Sequence, residues 1–224
     1  MGFSWPEAQE SLSLGLSERD VDLIETLAFK VRVLTMDQIG RTWWRRAAQP
    51  KSAAGRRLAE LEKGGFTTSF TAIAHPEIPL FAPVVSWAPD SPRPDFGAVS
   101  YRLKRRWSQP PKGTRCVYLS TLAGRYYGGH GGRRPRESEE THDIHLAQVY
   151  LLLRSRDPEA AQSWVSEESI RIGRGRRCEK LPDAMIDTSG QRRVIEFGGA
   201  YPKAKLEAFH RYCSQELQLP YEVW

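Results

Sequence analysis

The stretch of residues 51–66 places the strongest constraint on the fold, because its apolar residues recur at helical spacing. Ala54, Leu58 and Leu61 stand at positions i, i+4 and i+7, which aligns them along one face of an α-helix. Gly64–Gly65 follow, and helices commonly end at a glycine in the left-handed conformation. The pattern predicts an amphipathic helix that buries a narrow stripe and ends at the glycine pair.

The polar side of this predicted helix is basic near its N-terminus. Ser52 precedes the stripe and predicts an N-cap, because its hydroxyl can accept a hydrogen bond from a first-turn amide. Arg56 falls opposite the stripe together with Glu60, and Arg57 lies on the flank. Two interpretations are open on this helix alone. It resembles the recognition helix of a winged helix-turn-helix, or it is a surface helix with a solvated basic face.

Shorter elements are predicted on both sides of this helix. Ser17–Phe29 reads as a helix that Ser17 caps, with Asp20 three residues later as an approximate capping box. Thr35 caps a second short helix. Phe66–Ala74 alternates large and small residues with several β-branched ones, which predicts a first wing strand.

The next part of the chain begins with a segment that excludes regular structure. Six prolines fall within residues 75–97, so this segment cannot be a regular helix or a central strand. We expect an elongated loop there, followed by strands over Val99–Trp107 and Arg115–Leu119. Ser120–Tyr127 predicts a capped short helix, and residues 128–140 predict a linker rich in glycine, arginine and glutamate.

The charge distribution favours an anionic partner. The chain carries a formal net charge of +6, and residues 96–136 contain ten Lys or Arg and no Asp or Glu. Such a concentration is typical of proteins that bind the phosphate backbone of nucleic acids. An acidic protein or an anionic membrane surface could use the same charge. Because no basic helix with a large apolar face accompanies it, we expect no membrane partner.

Several classes are disfavoured by composition. No run of 18 apolar residues is present, which argues against a transmembrane helix, and the N-terminus lacks the features of a secretory signal. Three cysteines far apart fit neither a disulfide framework nor a metal knuckle. We therefore expect a cytoplasmic protein.

The second half is predicted to alternate helices and strands. Ile144–Arg156 predicts a strongly apolar helix, and Arg171–Lys180 predicts a mobile basic loop. Strands are expected over Ala184–Asp187 and Arg193–Phe197, joined by a hairpin-like turn at residues 188–190. A helix over Lys203–Leu217 and a last strand from Tyr221 complete the prediction.

Two carboxylates stand on these predicted neighbouring strands. Pro182–Asp183 begins one strand and Glu196 ends the next, so Asp183 and Glu196 could converge on Mg²⁺ or Mn²⁺ and activate water for phosphodiester hydrolysis. This spacing resembles the PD-(D/E)xK nuclease fold. The lysine of that motif is replaced by Gly198, and Lys203 or Lys205 could supply a migrated ammonium group. We expect a nuclease-like domain that has lost its activity.

Both halves together resemble the replication-relaxation family of plasmid and mobile-element proteins. The matching residues are Thr35, Gln38, Ile39, Arg57, Leu58, Leu61, Gly65, the segment Val117–Gly124, Pro182–Asp183 and Glu196. The resemblance implies an α+β protein with an N-terminal winged helix domain and a C-terminal small mixed α/β restriction-endonuclease-like domain. We expect the first domain over residues 1–128, a linker over 129–140 and the second domain over 141–224.

These expectations define one preferred function and one alternative. The preferred function is sequence-specific double-stranded DNA binding by a regulator or accessory factor of a plasmid or other mobile element, with no cofactor. The predicted DNA-binding residues are Arg56, Arg57 and Ser52 for bases, and Lys51, Arg45, Arg46, Lys104, Arg105 and Arg106 for phosphates. The alternative is a Mg²⁺-dependent DNA endonuclease that uses Asp183 and Glu196 as metal ligands, with Lys203. The C-terminal domain is also a candidate site for homodimerisation or for a protein partner.

Overall fold

The structure is a computed structural model that describes residues 15–129, 132–174 and 181–224. Helices and strands are both abundant, which confirms the predicted α+β class. The chain divides into two compact units. Unit 1 comprises Met1–Ala74 and Lys112–Ala147, and unit 2 comprises His75–Pro111 and Gln148–Trp224. No helix in the described ranges combines the length and the apolar character needed to cross a bilayer.

The secondary structure alternates short helices and strands. The elements up to residue 127 are α1 (Glu18–Glu25, continued by a π-helical turn over Thr26–Lys30), β1 (Leu34–Thr35), α2 (Met36–Trp43), α3 (Pro50–Lys63), β2 (Thr67–Ala74), β3 (Val85–Trp87), α4 (Phe96–Arg105), β4 (Lys112–Leu119) and α5 (Thr121–Tyr127). The later elements are α6 (Glu140–Arg156), α7 (Pro158–Gln162), β5 (Val165–Ser166), α8 (Glu167–Arg174), β6 (Ala184–Thr188), β7 (Gln191–Glu196), α9 (Lys203–Arg211, continued by a π-helical turn over Tyr212–Leu217) and β8 (Tyr221–Val223).

Unit 1 contains a three-stranded antiparallel sheet of order β1-β4-β2, whose first strand lies between α1 and α2 in the chain and whose second follows α3. Ser17 caps α1 and Thr35 caps α2, each through a complete capping box with the residue three positions later. Both caps were predicted from the sequence and are confirmed. Strands β2 and β4 pair over eight residues, from Thr67 opposite Leu119 to Ala74 opposite Lys112.

Unit 2 contains a five-stranded sheet of order β3-β8-β7-β6-β5. Its β6–β7 hairpin has the predicted turn, in which Ser189 and Gly190 both adopt positive φ angles. Strand β8 runs parallel to β7 and antiparallel to β3, so it lies inside the sheet. Helices α4 and α9 contribute Leu103, Leu206 and Phe209 to the same buried apolar cluster as the strand residue Val223.

The division into units differs from the predicted domain boundaries at residues 128 and 141. Segment His75–Pro111 was expected to be an insertion within the first domain, but it folds with unit 2 because β3 pairs with β8. The described part of the expected linker belongs to unit 1. Arg134 forms an ion pair with the buried carboxylate of Glu140, which also accepts a hydrogen bond from the Ile73 amide at 2.8 Å.

Three local predictions need correction. Val99–Trp107 is not a strand: it overlaps α4, because Asp95 caps a helix by accepting hydrogen bonds from two first-turn amides. Ser52 is not an N-cap, because α3 begins at Pro50, whose ring favours the first helical position. The predicted basic loop over 171–180 begins as the last turn of α8, and its residues 175–180 lie outside the described residues.

Candidate nucleic-acid interface

Helix α3 has the predicted division between a buried and an exposed side. Ala54, Leu58 and Leu61 are at most 2% exposed, so the apolar stripe contributes to the core of unit 1. The exposed polar residues of the first two turns are Lys51, Ser52 and Arg56. These side chains combine a hydroxyl group with two cations, and such groups donate hydrogen bonds to phosphate oxygens and to acceptors on base edges.

The position of α3 is fixed by a close approach to α2 at Gly40. A Cβ atom on Gly40 would lie 3.0 Å from the backbone nitrogen of Lys51 and 3.1 Å from the carbonyl carbon of Pro50. The contact involves backbone atoms, so a larger residue could be accommodated only if one helix shifted. In α2, the fully buried Gln38 also donates a hydrogen bond from Nε2 to the Ile144 carbonyl at 2.9 Å. The close contact at Gly40 therefore fixes the position of the first turn of α3 relative to α2.

Two cations on this face are available to a ligand. Arg56 makes no hydrogen bond or ion pair with any residue in the described ranges. The Lys51 ammonium lies 3.0 Å from the Asp37 carboxylate, but both side chains are more than half exposed. Such a pair contributes no more than about 1 kcal/mol, so a phosphate group can replace the carboxylate at little cost.

Arg57 does not belong to this exposed set, which corrects its predicted role in reading bases. Its Nε and Nη2 atoms donate to the carboxylate of Asp20 at 2.8–3.2 Å, and Nη2 also donates to the Gly15 carbonyl at 2.7 Å. Nη1 donates to Glu60. Hydrogen bonds to Asp20 and Glu60 raise the pKa of Arg57 above its ordinary value. The guanidinium group therefore joins α3 to the N-terminus of α1.

Asp20 gives this ion pair its structural importance, because it is 1% exposed and also holds the N-cap of α1. The Ser17 amide and hydroxyl donate to its Oδ2 atom at 2.8 and 2.7 Å. Burial alone would raise the pKa of Asp20, but hydrogen bonds from Arg57 and Ser17 outweigh burial and lower it. The carboxylate is therefore held in its charged form inside unit 1.

Arg45 and Arg46 are exposed in the turn between α2 and α3. Neither side chain has a hydrogen bond or ion pair within the described ranges. Their position directly before α3 is compatible with the predicted contacts to phosphates.

The other three predicted phosphate ligands lie in unit 2. Lys104 and Arg105 are exposed on α4, and Arg105 donates to the Tyr101 hydroxyl at 3.3 Å. Arg106 is different, because its guanidinium group lies 4.6 Å from the ring centre of Phe197 and donates to the Trp224 carbonyl at 3.0 Å. Burial lowers the pKa of Arg106 to about 10. Arg106 is a packing residue of unit 2, and its predicted role in phosphate binding is corrected.

The two predicted metal-binding carboxylates meet at the junction of β6 and β7. Asp183 accepts a hydrogen bond from the Phe197 amide at 2.7 Å. Glu196, which is 7% exposed, accepts one from the Tyr201 hydroxyl at 2.8 Å and one from the Asp183 amide at 3.4 Å. The hairpin register therefore brings the two residues together, as the sequence pattern predicted.

Gly198, which replaces the motif lysine, is required by packing. A Cβ atom at this position would lie 2.8 Å from Leu103 of α4 and 2.8 Å from Val223 of β8. Both neighbours are buried, so they have little room to move. A lysine at position 198 would therefore force the Leu103 and Val223 side chains to shift.

The groups next to the carboxylates are Tyr201 and Lys205. The Lys205 ammonium lies 3.4 Å from the centre of the Tyr201 ring. Lys203, our predicted substitute for the motif lysine, instead lies 4.0 Å from Glu207 on the exposed side of α9. Burial raises the pKa of Tyr201 above its ordinary value, and the carboxylates of Glu196 and Asp183 add to the effect. The Tyr201 hydroxyl therefore stays protonated and donates to Glu196.

These two carboxylates already take part in a local hydrogen-bond network. Oxygens of both Asp183 and Glu196 accept hydrogen bonds from backbone amides or from Tyr201, and each carboxylate retains further lone pairs. No group of three or more His, Cys, Asp or Glu side chains suited to a metal is found among the described residues. The hydrogen bonds of Asp183 and Glu196 link the start of β6 to the end of β7.

Sequence reasoning missed two residues that determine these sites. Asp20 was recognised only as part of a cap, although an acid in α1 and an arginine in α3 are a possible ion pair. Tyr201 was not singled out at all, and its position five residues after Glu196 was the available signal.

Searches against protein-family models, curated proteins and solved structures find no match to this chain.

Proposed function

We propose that this protein binds double-stranded DNA in a sequence-specific manner, as a regulator or accessory factor of a plasmid or other mobile element. The observation that carries the proposal is the exposed face of α3, where Arg56 and Lys51 remain available beside a backbone-fixed contact with α2. The chain order α1-β1-α2-α3-β2, with β4 pairing between β1 and β2, supports a winged helix-turn-helix interpretation of unit 1. The association with a mobile element rests on the sequence resemblance alone.

In this proposal Arg56 reads base edges in the major groove, and Ser52 assists it. A guanidinium group can donate two parallel hydrogen bonds to guanine, which distinguishes this base from the other three. Lys51, Arg45 and Arg46 hold the phosphates that flank the α3 contact. Lys104 and Arg105 supply further phosphate contacts from unit 2, whereas Arg57 and Arg106 have structural roles.

The test begins by identifying the target sequence. Genomic fragments retained by the purified full chain are sequenced, and the enriched duplex is used in fluorescence anisotropy titrations. Arg56→Ala is expected to weaken binding to this duplex by about 1–3 kcal/mol and to relax specificity at one position. Lys63→Ala, an exposed charge change in the last turn of α3, is the matched control and should bind as the wild type does. Equal binding by the Arg56→Ala variant would refute the assignment.

The phosphate contacts are tested by the salt dependence of the same titrations. Each of Arg45→Ala, Arg46→Ala and Lys51→Ala is expected to reduce the slope of log K against log salt concentration by about 1. The loss of affinity should be similar for the enriched duplex and for a scrambled one. A loss confined to the enriched duplex would reassign that residue to base recognition.

A Mg²⁺-dependent endonuclease is the second candidate, because Asp183 and Glu196 do meet at adjacent strands. Since Gly198 stands in the place of the motif lysine, we expect plasmid DNA incubated with Mg²⁺ or Mn²⁺ to remain intact. Cleavage by the wild type that Asp183→Ala abolishes would favour this candidate instead, and Lys203→Ala and Lys205→Ala would then identify the catalytic ammonium group. Light scattering on the full chain tests whether unit 2 supports a homodimer.

A further inference from the structure

A pocket of about 690 Å³ lies beside α3 in unit 1, and none of the interactions described above occupies it. It is formed where the first turn of α1 faces the end of α2 and the turn that follows. The lining residues are Glu18, Arg19, Thr42, Trp43, Trp44, Arg45, Arg46 and Ala47. Its volume falls within the range of pockets that bind small molecules in proteins, about 300–1,000 Å³.

The charge of the pocket favours an anion. Three of its lining residues are arginines and one is a glutamate, which leaves a formal charge of +2. Arg45 and Arg46 make no ion pair in the described ranges, so Glu18 does not neutralise them. Guanidinium groups present several N–H donors in a planar fork that matches the oxygens of a phosphate. A phosphate monoester, which carries a charge of about −1.5 to −2 near neutral pH, would balance the lining.

The aromatic lining favours a ligand that also carries a planar ring. Trp43 and Trp44 both border the pocket, and the position of each indole is fixed. The Trp43 Nε1 atom donates to Asp22 at 2.7 Å, and the Arg19 guanidinium group lies 4.6 Å from the ring centre of Trp44. Because Trp44 is only 8% exposed, a nucleobase would stack mainly on the half-buried Trp43 indole and on the exposed Arg19 guanidinium group, and both planes are suited to such stacking.

We infer that this pocket binds a nucleotide, with the phosphate on Arg45 and Arg46 and the base against the wall formed by Arg19 and the two tryptophans. A bound nucleotide competes with DNA, because Arg45 and Arg46 also hold backbone phosphates in the proposed function. This competitive part rests on the proposed function, whereas nucleotide binding itself does not. The pocket would therefore link DNA occupancy to the concentration of a small phosphorylated ligand.

The binding part is tested by isothermal titration calorimetry of the full chain without DNA. The probes are deoxyadenosine monophosphate, deoxyadenosine and inorganic phosphate. We expect saturable binding of one deoxyadenosine monophosphate per chain, and binding of each fragment at least about tenfold weaker, because neither fragment fills both parts of the pocket. Absence of saturable binding by the monophosphate, or equal binding of inorganic phosphate alone, would overturn the inference.

Variants locate the ligand. Arg45→Ala combined with Arg46→Ala, and separately Arg19→Met, should each reduce nucleotide affinity about tenfold or more, since the first removes the charge-assisted phosphate contacts and the second removes the guanidinium plane that stacks on the base. Methionine keeps an unbranched apolar chain over Trp44, and circular dichroism verifies that each variant is folded. Arg125→Ala, an exposed charge change on α5 in the same unit, is the matched control. Unchanged affinity in both pocket variants would place the ligand elsewhere and refute the site.

Competition separates the two proposals. With the nucleotide at ten times its wild-type dissociation constant, the apparent DNA dissociation constant should rise about tenfold for the wild type and no more than about twofold for Arg19→Met. Nucleotide binding without any DNA binding would remove the proposed function and the competitive role, but would retain the pocket.

Discussion

Replacement of Arg57 by alanine tests whether Arg57 stabilises the fold, in contrast to Arg56, which we propose contacts DNA bases from the same helix. The change removes three hydrogen bonds of 2.8–3.2 Å to Asp20, whose carboxylate is 1% exposed. Loss of one partner of a fully buried ion pair typically costs about 3–5 kcal/mol. Two donors from Ser17 remain on Asp20, and the Arg57 side chain is 23% exposed. We therefore expect the free energy of unfolding to fall by about 2–3 kcal/mol.

Urea unfolding followed by circular dichroism measures this loss. With a denaturant slope of about 1–3 kcal/mol/M, the midpoint should move down by about 0.7–3 M. Arg56→Ala is the matched control, because it removes the neighbouring exposed arginine and should change stability by no more than about 0.5 kcal/mol. Arg57→Lys keeps the positive charge but loses the planar set of guanidinium donors, so its loss of unfolding free energy should lie between those of Arg57→Ala and Arg56→Ala.

The loss should also depend on pH, because the pKa of Asp20 lies below its ordinary value in the folded protein. A group with a depressed pKa stabilises the fold above its unfolded pKa of about 4, and this contribution disappears as the pH falls through the folded pKa. The difference between wild type and Arg57→Ala should be full at pH 7 and should shrink in acid. Wild-type stability of Arg57→Ala at pH 7, together with a loss of DNA affinity like that of Arg56→Ala, would refute the reasoning.

Four further substitutions test close packing and one buried hydrogen bond. Gly40→Ala should lower the free energy of unfolding by about 1–3 kcal/mol in urea titrations, because its Cβ meets backbone atoms of α3. Gly55→Ala, where the nearest atom would be at 3.5 Å, should instead raise it by about 0.5–1 kcal/mol, and equal effects of the two changes would contradict the packing argument. Tyr201→Phe should cost about 1–3 kcal/mol because the buried carboxylate of Glu196 loses a donor, and a neutral result would show that this hydrogen bond contributes little. Gly198→Ala should destabilise the chain by a similar 1–3 kcal/mol, as thermal unfolding would reveal.

Local signals in the sequence predicted the elements that depend on neighbours a few residues away. The caps at Ser17 and Thr35 and the turn at 188–190 are confirmed, because each requires only a side chain or a positive φ angle within the same segment. The stripe on α3 is confirmed for the same reason. Val99–Trp107 was misassigned because its β-prone residues were given more weight than the capping Asp95 immediately before the helix.

Long-range partners could not be predicted from these patterns. Arg57 and Asp20 are 37 positions apart, and nothing in the spacing indicates which arginine of α3 the acid selects. The burial of Arg106 likewise depends on Phe197 and Trp224. The convergence of Asp183 and Glu196 was predictable because the hairpin register relates them directly, whereas the donors that occupy their oxygens come from outside the motif.

The interruption of the β2–β4 hairpin has a consequence for the order in which the protein can fold during synthesis. Strand β2 ends at Ala74, and its partner begins at Lys112, so the sheet of unit 1 must wait until 37 intervening residues have been made. Those residues carry β3, whose partner among the described residues is β8 at residues 221–223. Before β4 is made, the nascent chain therefore holds three unpaired strands, β1, β2 and β3, and β3 has no partner until synthesis passes residue 223. Exposed edges of this kind favour pairing with other chains, so the protein should depend most on chaperones before that point.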